Sequence, residues 1–482
     1  MAPPSWSRTP HQHNVRKADR VPSKEPMNVR SMRLIDRWVG VPLCLLLTIA
    51  RKVTDPFRHG APLPPQRILF VKLAEQGSTV LAHRAFSRAI EKVGRENVFF
   101  LVFEDNRFVM DAMALIPSAN IVTISTSSPL SAIRGALGAV RRLRQEGIDV
   151  AIDFEFFARA SAVLCYLSGA QARVGFHPFG GGAAWRGDLM THRLSYNPHM
   201  HTSRSFAVMV EALDVDPAVL PALDVEAGEE SAQSPEWRAR SADVQAVREI
   251  LLNEISGQDL PPMVLLNANC SDMLPLRRWP EERYVELARR VLARYAELCV
   301  VFTGAPAEAE EVLALVNAVQ SERCLSLAGK TTLGELLALY TLSDVLVTND
   351  SGPAHFATLT PLHVVTLFGP ETPTLYAARS ERNHVFWAGL PCSPCVTAYN
   401  NRLSGCRDNI CMQKISVDQV FQKVCWILDG RRSPGEPRKD KRSSTEGTAS
   451  AASGRHGHAE AEGDCSRHRS SSTGTGREDS FG

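Results

Sequence analysis

The sequence predicts an α/β protein built from two Rossmann-like domains, each an open parallel sheet covered by helices. Three observations carry that prediction. Strand-like apolar runs alternate with helical periods twice over along the chain, the order expected of parallel βαβ units. An acidic, Pro-rich, aperiodic stretch from about 214 to 236 separates the two series and reads as an interdomain connection. Within the second series a buried strand turns polar and passes into a helix at 345–355, and open α/β sheets bind ligands at such strand ends.

Size and composition set the outer limits. A chain of 482 residues holds two or three domains, and a hydrophobic share of 44% is ordinary for a globular protein. Lys and Arg number 54 against 52 Asp and Glu, a net charge of +2 that argues against general nucleic-acid binding. Eleven cysteines are too sparse for a disulfide scaffold, and Cys165, Cys299, Cys324 and Cys425 lie in apolar runs, which fits a reducing compartment.

Residues 1–30 are polar, contain proline and lack apolar period, so they are predicted to be disordered, as are residues 431–482. The segment 31–58 is different. Its uncharged part, 38–50, is shorter than the ~20 residues a spanning helix needs. Arg30, Arg33 and Arg37 precede it and Arg51, Lys52 and Arg58 follow, which suits an amphipathic anchor on the anionic cytoplasmic face of a membrane. The alternative is a helix packed on the protein's own surface. A signal peptide fits poorly, because its charged region would be very long and no small-residue cleavage site follows.

After the prolines at 62, 64 and 65, the first domain (66–235) is predicted to contain strands at 68–73, 98–103, 121–124, 150–154 and 173–176. Helical periods are clearest at 79–93, 131–145 and 158–167. The second domain (240–428) repeats the plan, with strands at 263–266, 298–303, 324–327, 345–348 and 364–368 and helices near 280–295, 307–319 and 333–342.

The ligand-binding signal is strongest at Thr348-Asn349-Asp350-Ser351-Gly352-Pro353-Ala354-His355. Gly352 lets a ligand approach the backbone, Pro353 suits a first helical turn, and the start of a helix offers free N–H groups to phosphate. Asp350 would be repelled by a diphosphate but can accept hydrogen bonds from sugar hydroxyls. Either Asp350 or Ser351 also suits the role of helix cap. His355 suits phosphate donation, and equally a satisfied core position.

This segment, followed by Leu367-Phe368-Gly369-Pro370-Glu371-Thr372, resembles the heptosyltransferase family, glycosyltransferase family 9. The likeness runs from about Arg67 to Val424. It implies GT-B architecture, two Rossmann-like domains facing a central cleft, with inversion at the anomeric carbon and no catalytic metal or other cofactor. The implied partners are ADP-heptose as donor, a lipopolysaccharide-type or other lipid-linked saccharide as acceptor, and the inner face of the cytoplasmic membrane. No nucleic acid is implied.

Other family-like stretches follow in order. Asn267 and Asn269 end a strand and Arg277-Arg278-Trp279-Pro280 opens the next helix, resembling the family's phosphate-binding loop, with Arg277 as the leading diphosphate ligand. Gly304 and Glu308 stand where the family binds the nucleoside; Glu308 suits ribose hydroxyls and equally the acid of a helix start. Gly329-Lys330-Thr331-Thr332 resembles a family stretch and is not a P-loop, because Cys324 replaces the glycine that motif needs.

In the first domain Glu75-Gln76-Gly77-Ser78-Thr79 matches the loop after the first strand. The lipopolysaccharide branch carries a base-forming acid directly after the glycine, where this chain has Ser78. A serine alone does not readily take a proton from a sugar hydroxyl, so Glu75, three residues earlier, becomes the candidate base, with Asp153 and Glu155 behind it. Ser78 and Arg159 are expected to contact the acceptor. Cys392, Cys395, Cys406 and Cys411 have a spacing able to bind zinc, although the resemblance implies no metal there. The competing readings are a transferase for another nucleotide sugar and a non-catalytic, membrane-associated saccharide-binding relative. A nicotinamide dehydrogenase is disfavoured, since no Gly-x-Gly-x-x-Gly follows a first strand.

Overall fold

The computed structural model describes residues 36–54, 64–179, 184–219, 236–255, 259–270, 274–400 and 402–432. The tails expected to be disordered lie outside these residues, apart from 431 and 432, which complete the last helix. Most of the 214–236 connection lies outside them too.

The strands form two six-stranded sheets, and every pairing in both is parallel. The first contains β1 (Ile68–Val71), β2 (Val98–Phe103), β3 (Ile121–Ile124), β4 (Val150–Asp153), β5 (Ala172–Phe176) and β6 (His192–Leu194), in the order β3-β2-β1-β4-β5-β6. The second contains β7 (Met263–Asn267), β8 (Cys299–Phe302), β9 (Cys324–Ser326), β10 (Val345–Asn349), β11 (His363–Phe368) and β12 (Asn383–Trp387), in the order β12-β11-β10-β7-β8-β9. Read from its other edge, the second sheet has the same winding as the first. Strand order therefore reverses between β1 and β4 and again between β7 and β10, which opens a crevice at the carboxyl ends of those pairs.

The central strands are apolar throughout because both of their faces are covered: every residue of β1, β4, β7, β8 and β10 is buried. Phe70, Phe86, Phe154 and Phe206 fill the first core, with Phe154 and Phe206 stacked at 4.3 Å between centroids. In the second half the last helix, Val417–Arg432, packs Val420, Val424 and Leu428 into a cluster shared with Trp279 and Val347.

The helical period predicted at 79–93 is interrupted. Gln76–Val80 (α2) is followed by a turn at Leu81 and Ala82, then by His83–Val93 (α3). The break has a packing reason. Helix α2 docks on the short helix Gly352–Ala357 of the other half, whereas α3 docks on Thr202–Glu211 of its own half, and one straight helix cannot serve both.

Before the first sheet, Gly40–Thr54 (α1) forms a helix lying on Arg159–Leu167. Its Cys44 and Thr48 are buried, and Thr48 Oγ1 accepts from the Asp188 N–H at 2.9 Å. At Gly187, whose φ is +77°, a Cβ would stand 2.7 Å from Thr48 Oγ1, so this crossing requires glycine. The segment is thus an integral layer of the fold. Among the described residues no helix is long and apolar enough to cross a membrane.

Candidate active site

Two loops face each other across the crevice. On the first sheet, β1 ends at Val71 and the chain passes through buried Lys72 to Glu75, a non-glycine residue in left-handed backbone at φ 63°. That conformation costs roughly 1–2 kcal/mol in an L-residue and is held only where its surroundings demand it. Here the surroundings are polar. Glu155, just past β4, accepts from the Ala74 N–H at 2.9 Å. Lys72 Nζ lies 3.6 Å from Glu75 and 3.7 Å from Glu155. The result is a Glu75 carboxylate 3.3 Å from the Ser78 hydroxyl, directed into the crevice.

On the second sheet, Asn349 at the end of β10 ties three segments together. Its Oδ1 accepts from the Trp279 N–H at 3.0 Å and from Tyr284 OH at 3.2 Å, and its Nδ2 donates to Ala268 O at 2.8 Å. This fixes the loop carrying Arg277 against the turn carrying Asp350. Ser351 occupies the helix-capping position but makes no capping hydrogen bond, its hydroxyl donating instead to Asn349 O at 3.2 Å. The halves meet at Gly77: a Cβ there would lie 2.6 Å from the His355 ring, so only glycine permits this approach.

Between the loops is a cavity of about 420 Å³ lined by Glu75, Gly77, Ser78 and Asn106 from the first half and by Arg277, Asp350, Ser351, Gly352, His355, Glu371, Tyr376 and Arg402 from the second. Arg277 lies 3.9 Å from Asp350 and 3.8 Å from Glu371, while its Nε is buried without a hydrogen-bond partner. Arg402 pairs with Glu75 and, through Nε, approaches Glu371 at 3.4 Å.

The charges set unusual protonation states. Burial alone would raise the Glu75 carboxyl, but Arg402, Lys72, Arg277 and the Ser78 hydroxyl outweigh it and bring it down to about 2. Asp350 moves the other way, pushed up to about 8 by burial and by neighbouring Glu371 against the pull of Arg277. Its charged form is thus disfavoured, which eases the repulsion a diphosphate would otherwise meet there. His355 is lowered to about 4 by burial, His201 and Arg277, so its ring is neutral; its Nδ1 is buried without a partner.

Of the residues singled out in the sequence, Glu75, Ser78, Arg277, Asp350, Ser351, Gly352 and His355 line this cavity. Others stand apart. Asn267 donates to Thr303 O at 3.1 Å, and Glu308 accepts from the Ala305 N–H at 2.7 Å beside Asn269, so these residues and Gly304 cluster past the ends of β7 and β8, outside the cavity lining. Arg159 is engaged elsewhere, with Asp36 at 2.6 Å and Trp185 O at 2.8 Å, tying the segment before the first helix to the helix that follows β4. Asp153 is fully buried against Arg186 at 2.6 Å, and Glu155 supports the Glu75 loop. Cys392, Cys395, Cys406 and Cys411 are free thiols, and no group of three or more metal-binding side chains occurs among the described residues. Thr332 and Glu335 form a capping box and Lys330 pairs with Glu254 at 2.6 Å, so the 329–336 stretch opens a helix. Sequence reasoning missed Arg402 and Glu371 as cavity residues. Glu371 lies inside the family-like stretch 367–372 without having been singled out there, and nothing local marks Arg402.

A model of glycosyltransferase family 9 (heptosyltransferase) matches residues 137–403. The chain belongs to that family. Among its relatives, lipopolysaccharide heptosyltransferase 2 of Salmonella typhimurium is 33% identical over 112 residues, 23% of this chain and 32% of that protein. The family 9 chain thus spans about a third of the length of the heptosyltransferase 2 proteins it first matches. The match to the lipopolysaccharide core heptosyltransferase OpsX of Haemophilus influenzae is longer, 25% identical over 277 residues, 57% of this chain and 72% of that one. The fold is that of the Escherichia coli ADP-heptose lps heptosyltransferase II structure, with TM-score 0.59 and 18% identity over 76% of this chain and 100% of that one. The architecture is GT-B.

Proposed function

We propose that the protein is an inverting glycosyltransferase that moves a sugar, heptose in the favoured reading, from a nucleotide-sugar donor such as ADP-heptose to a lipid-linked saccharide of the lipopolysaccharide type. One observation carries the reading: a carboxylate from the first sheet, Glu75, faces Arg277, Asp350 and His355 from the second across a single cavity. Inverting transfer needs a base on one side of the anomeric carbon and charge stabilisation on the other. Glu75 takes the acceptor's hydroxyl proton as the new C–O bond forms. The bond from the anomeric carbon to the phosphate oxygen breaks, leaving its electron pair on the diphosphate beside Arg277. In this reading guanidinium groups, rather than a metal ion, meet that charge, and turnover is expected to survive a chelator. Asn267, Asn269, Gly304 and Glu308 hold the nucleoside, with Glu308 on ribose.

The deciding experiment pairs a panel of nucleotide sugars with a membrane saccharide extract and reads products by mass spectrometry. Wild type should transfer one donor, and Glu75→Gln should not. Turnover that survives the substitution excludes Glu75 as base, and absence of turnover with every donor favours the binding-protein alternative.

The acceptor's lipid suits a membrane-facing surface. Of eighteen large apolar side chains exposed among the described residues, eleven lie between Trp38 and Trp185. Leu45, Leu46, Ile49 and Val53 point outward from the first helix, and Leu130, Ile133 and Leu137 from the helix Pro129–Gln145. Both helices pack their inner sides on one apolar cluster with Leu69 and Leu101. Arg134, Arg141 and Lys52 flank the stripes on exposed positions, complementing anionic headgroups. Leu46→Glu with Ile49→Glu should abolish sedimentation with anionic vesicles; unchanged sedimentation would refute the surface.

A further inference from the structure

We propose that Arg402 is shared between two anions, holding Glu75 in the donor-free cleft and turning to the diphosphate when a nucleotide sugar binds. The inference rests on the transferase reading above and adds a ligand and a coupling to it.

The geometry comes first. Arg402 reaches the cavity from the second half, 327 positions along the chain from its partner Glu75. Both ends of the pair sit in left-handed backbone, at φ 63° and 56°, two of only four such non-glycine residues among those described. Each such residue costs roughly 1–3 kcal/mol, and such strain collects at sites where position matters more than stability.

Glu371 is the pivot. It stands 3.4 Å from Arg402 Nε and 3.8 Å from Arg277, so both guanidinium groups lie beside one buried carboxylate, and all three residues line the cavity. The Arg402 guanidinium also lies 5.5 Å from the Tyr376 ring centroid, over a face that supports a cation in more than one rotation. A diphosphate entering beside Arg277 brings more negative charge than Glu75 carries. Its phosphate oxygens can also accept the paired N–H groups of the second guanidinium's planar fork.

The exchange has a chemical consequence. Glu75 faces Lys72 at 3.6 Å, Ser78 at 3.3 Å, Arg402 and, farther off, Arg277; Tyr376 and Glu371 lie behind Arg402, and Glu155 behind Lys72. Arg402 is the strongest of the influences that hold the Glu75 carboxyl down, and burial acts the other way. Drawing Arg402 to the diphosphate therefore strengthens Glu75 as a proton acceptor once the donor is present.

The test is calorimetric titration of the full chain with ADP, UDP and GDP, which requires no turnover. Arg402→Gln should weaken binding of the preferred diphosphate more than tenfold. Arg402→Lys, which keeps the charge without the fork, should fall between. Glu75→Gln should tighten binding about fivefold, because it removes the competitor for Arg402, a coupling within the usual range for linked sites. In the Arg402→Gln background the same Glu75 change should matter less than twofold. Thermal melts of Glu75→Gln and Arg402→Lys control for folding. Additive effects, or an unchanged affinity in Glu75→Gln, overturn the shared-arginine inference while leaving the transferase reading intact. Failure of wild type to bind any of the three diphosphates overturns the transferase reading and this inference with it.

Discussion

The two halves share one winding yet prepare their crevice-facing loops in opposite ways. The β10 loop is set for a ligand largely from within its own half: Asn349 locks its backbone, burial and Glu371 push the Asp350 carboxyl up, and nearby Arg277 has an unpaired Nε, while the neutral His355 is buried in part by the first half. The β1 loop carries left-handed backbone, a buried lysine and a carboxylate whose nearest cationic partner, Arg402, belongs to the other half. A sheet topology sets where a loop stands. It leaves open whether the loop is complete before the other half arrives.

Substitutions in the two loops should separate these characters. Glu75→Gln should give the largest effect, lowering turnover by about 10² to 10⁴, the usual worth of a general base, without weakening donor binding. Arg277→Ala should act on the donor instead, raising its KM about 10- to 100-fold for the loss of a charge-assisted contact of roughly 1.5–3 kcal/mol. Equal losses of kcat from both would erase the distinction. Gly77→Ala tests the contact between the halves: its new methyl would press on the His355 ring, and overpacking of that kind costs about 1–3 kcal/mol in a thermal or denaturant melt.

A further test is a pH dependence. Asp350 keeps its proton up to about 8 in the folded chain, while an unfolded aspartate releases it near ~3.9. The folded state therefore binds more protons between these values, so this residue's contribution makes stability fall as pH rises from about 4 to about 8, then level off. Asp350→Asn should remove that slope, gaining relative to wild type at pH 9 and not at pH 4. A parallel shift at both pH values would refute the assignment.

Much of this was legible in the sequence, for reasons that differ by region. Residues 348–355 are contiguous, and the pattern of apolar strand, polar turn, glycine and proline carries its own geometry, so the second half's strand ends could be read directly. Strand β6 has only three residues and β12 is half-exposed at a sheet edge, so neither has the continuous apolar run of a central strand. The interruption at Leu81 and Ala82 answers to docking on the other half, which the helical period does not encode. Arg402 is the clearest gap, because its meaning comes from a partner 327 positions away.

The first helix has a further consequence. Its inner side fills a socket with Cys44 and Thr48, its Arg51 pairs with Asp188 at 2.9 Å, and the Asp36 just before it holds Arg159 at the start of the helix that follows β4. Its outer side is the apolar stripe. Trimming the chain to residue 64 to improve handling in solution would therefore strip a wall from the first domain and leave the half-buried Arg159 guanidinium without its carboxylate. The sticky face is better altered by changing Leu45, Leu46, Ile49 and Val53 one at a time than by removing the helix that bears them.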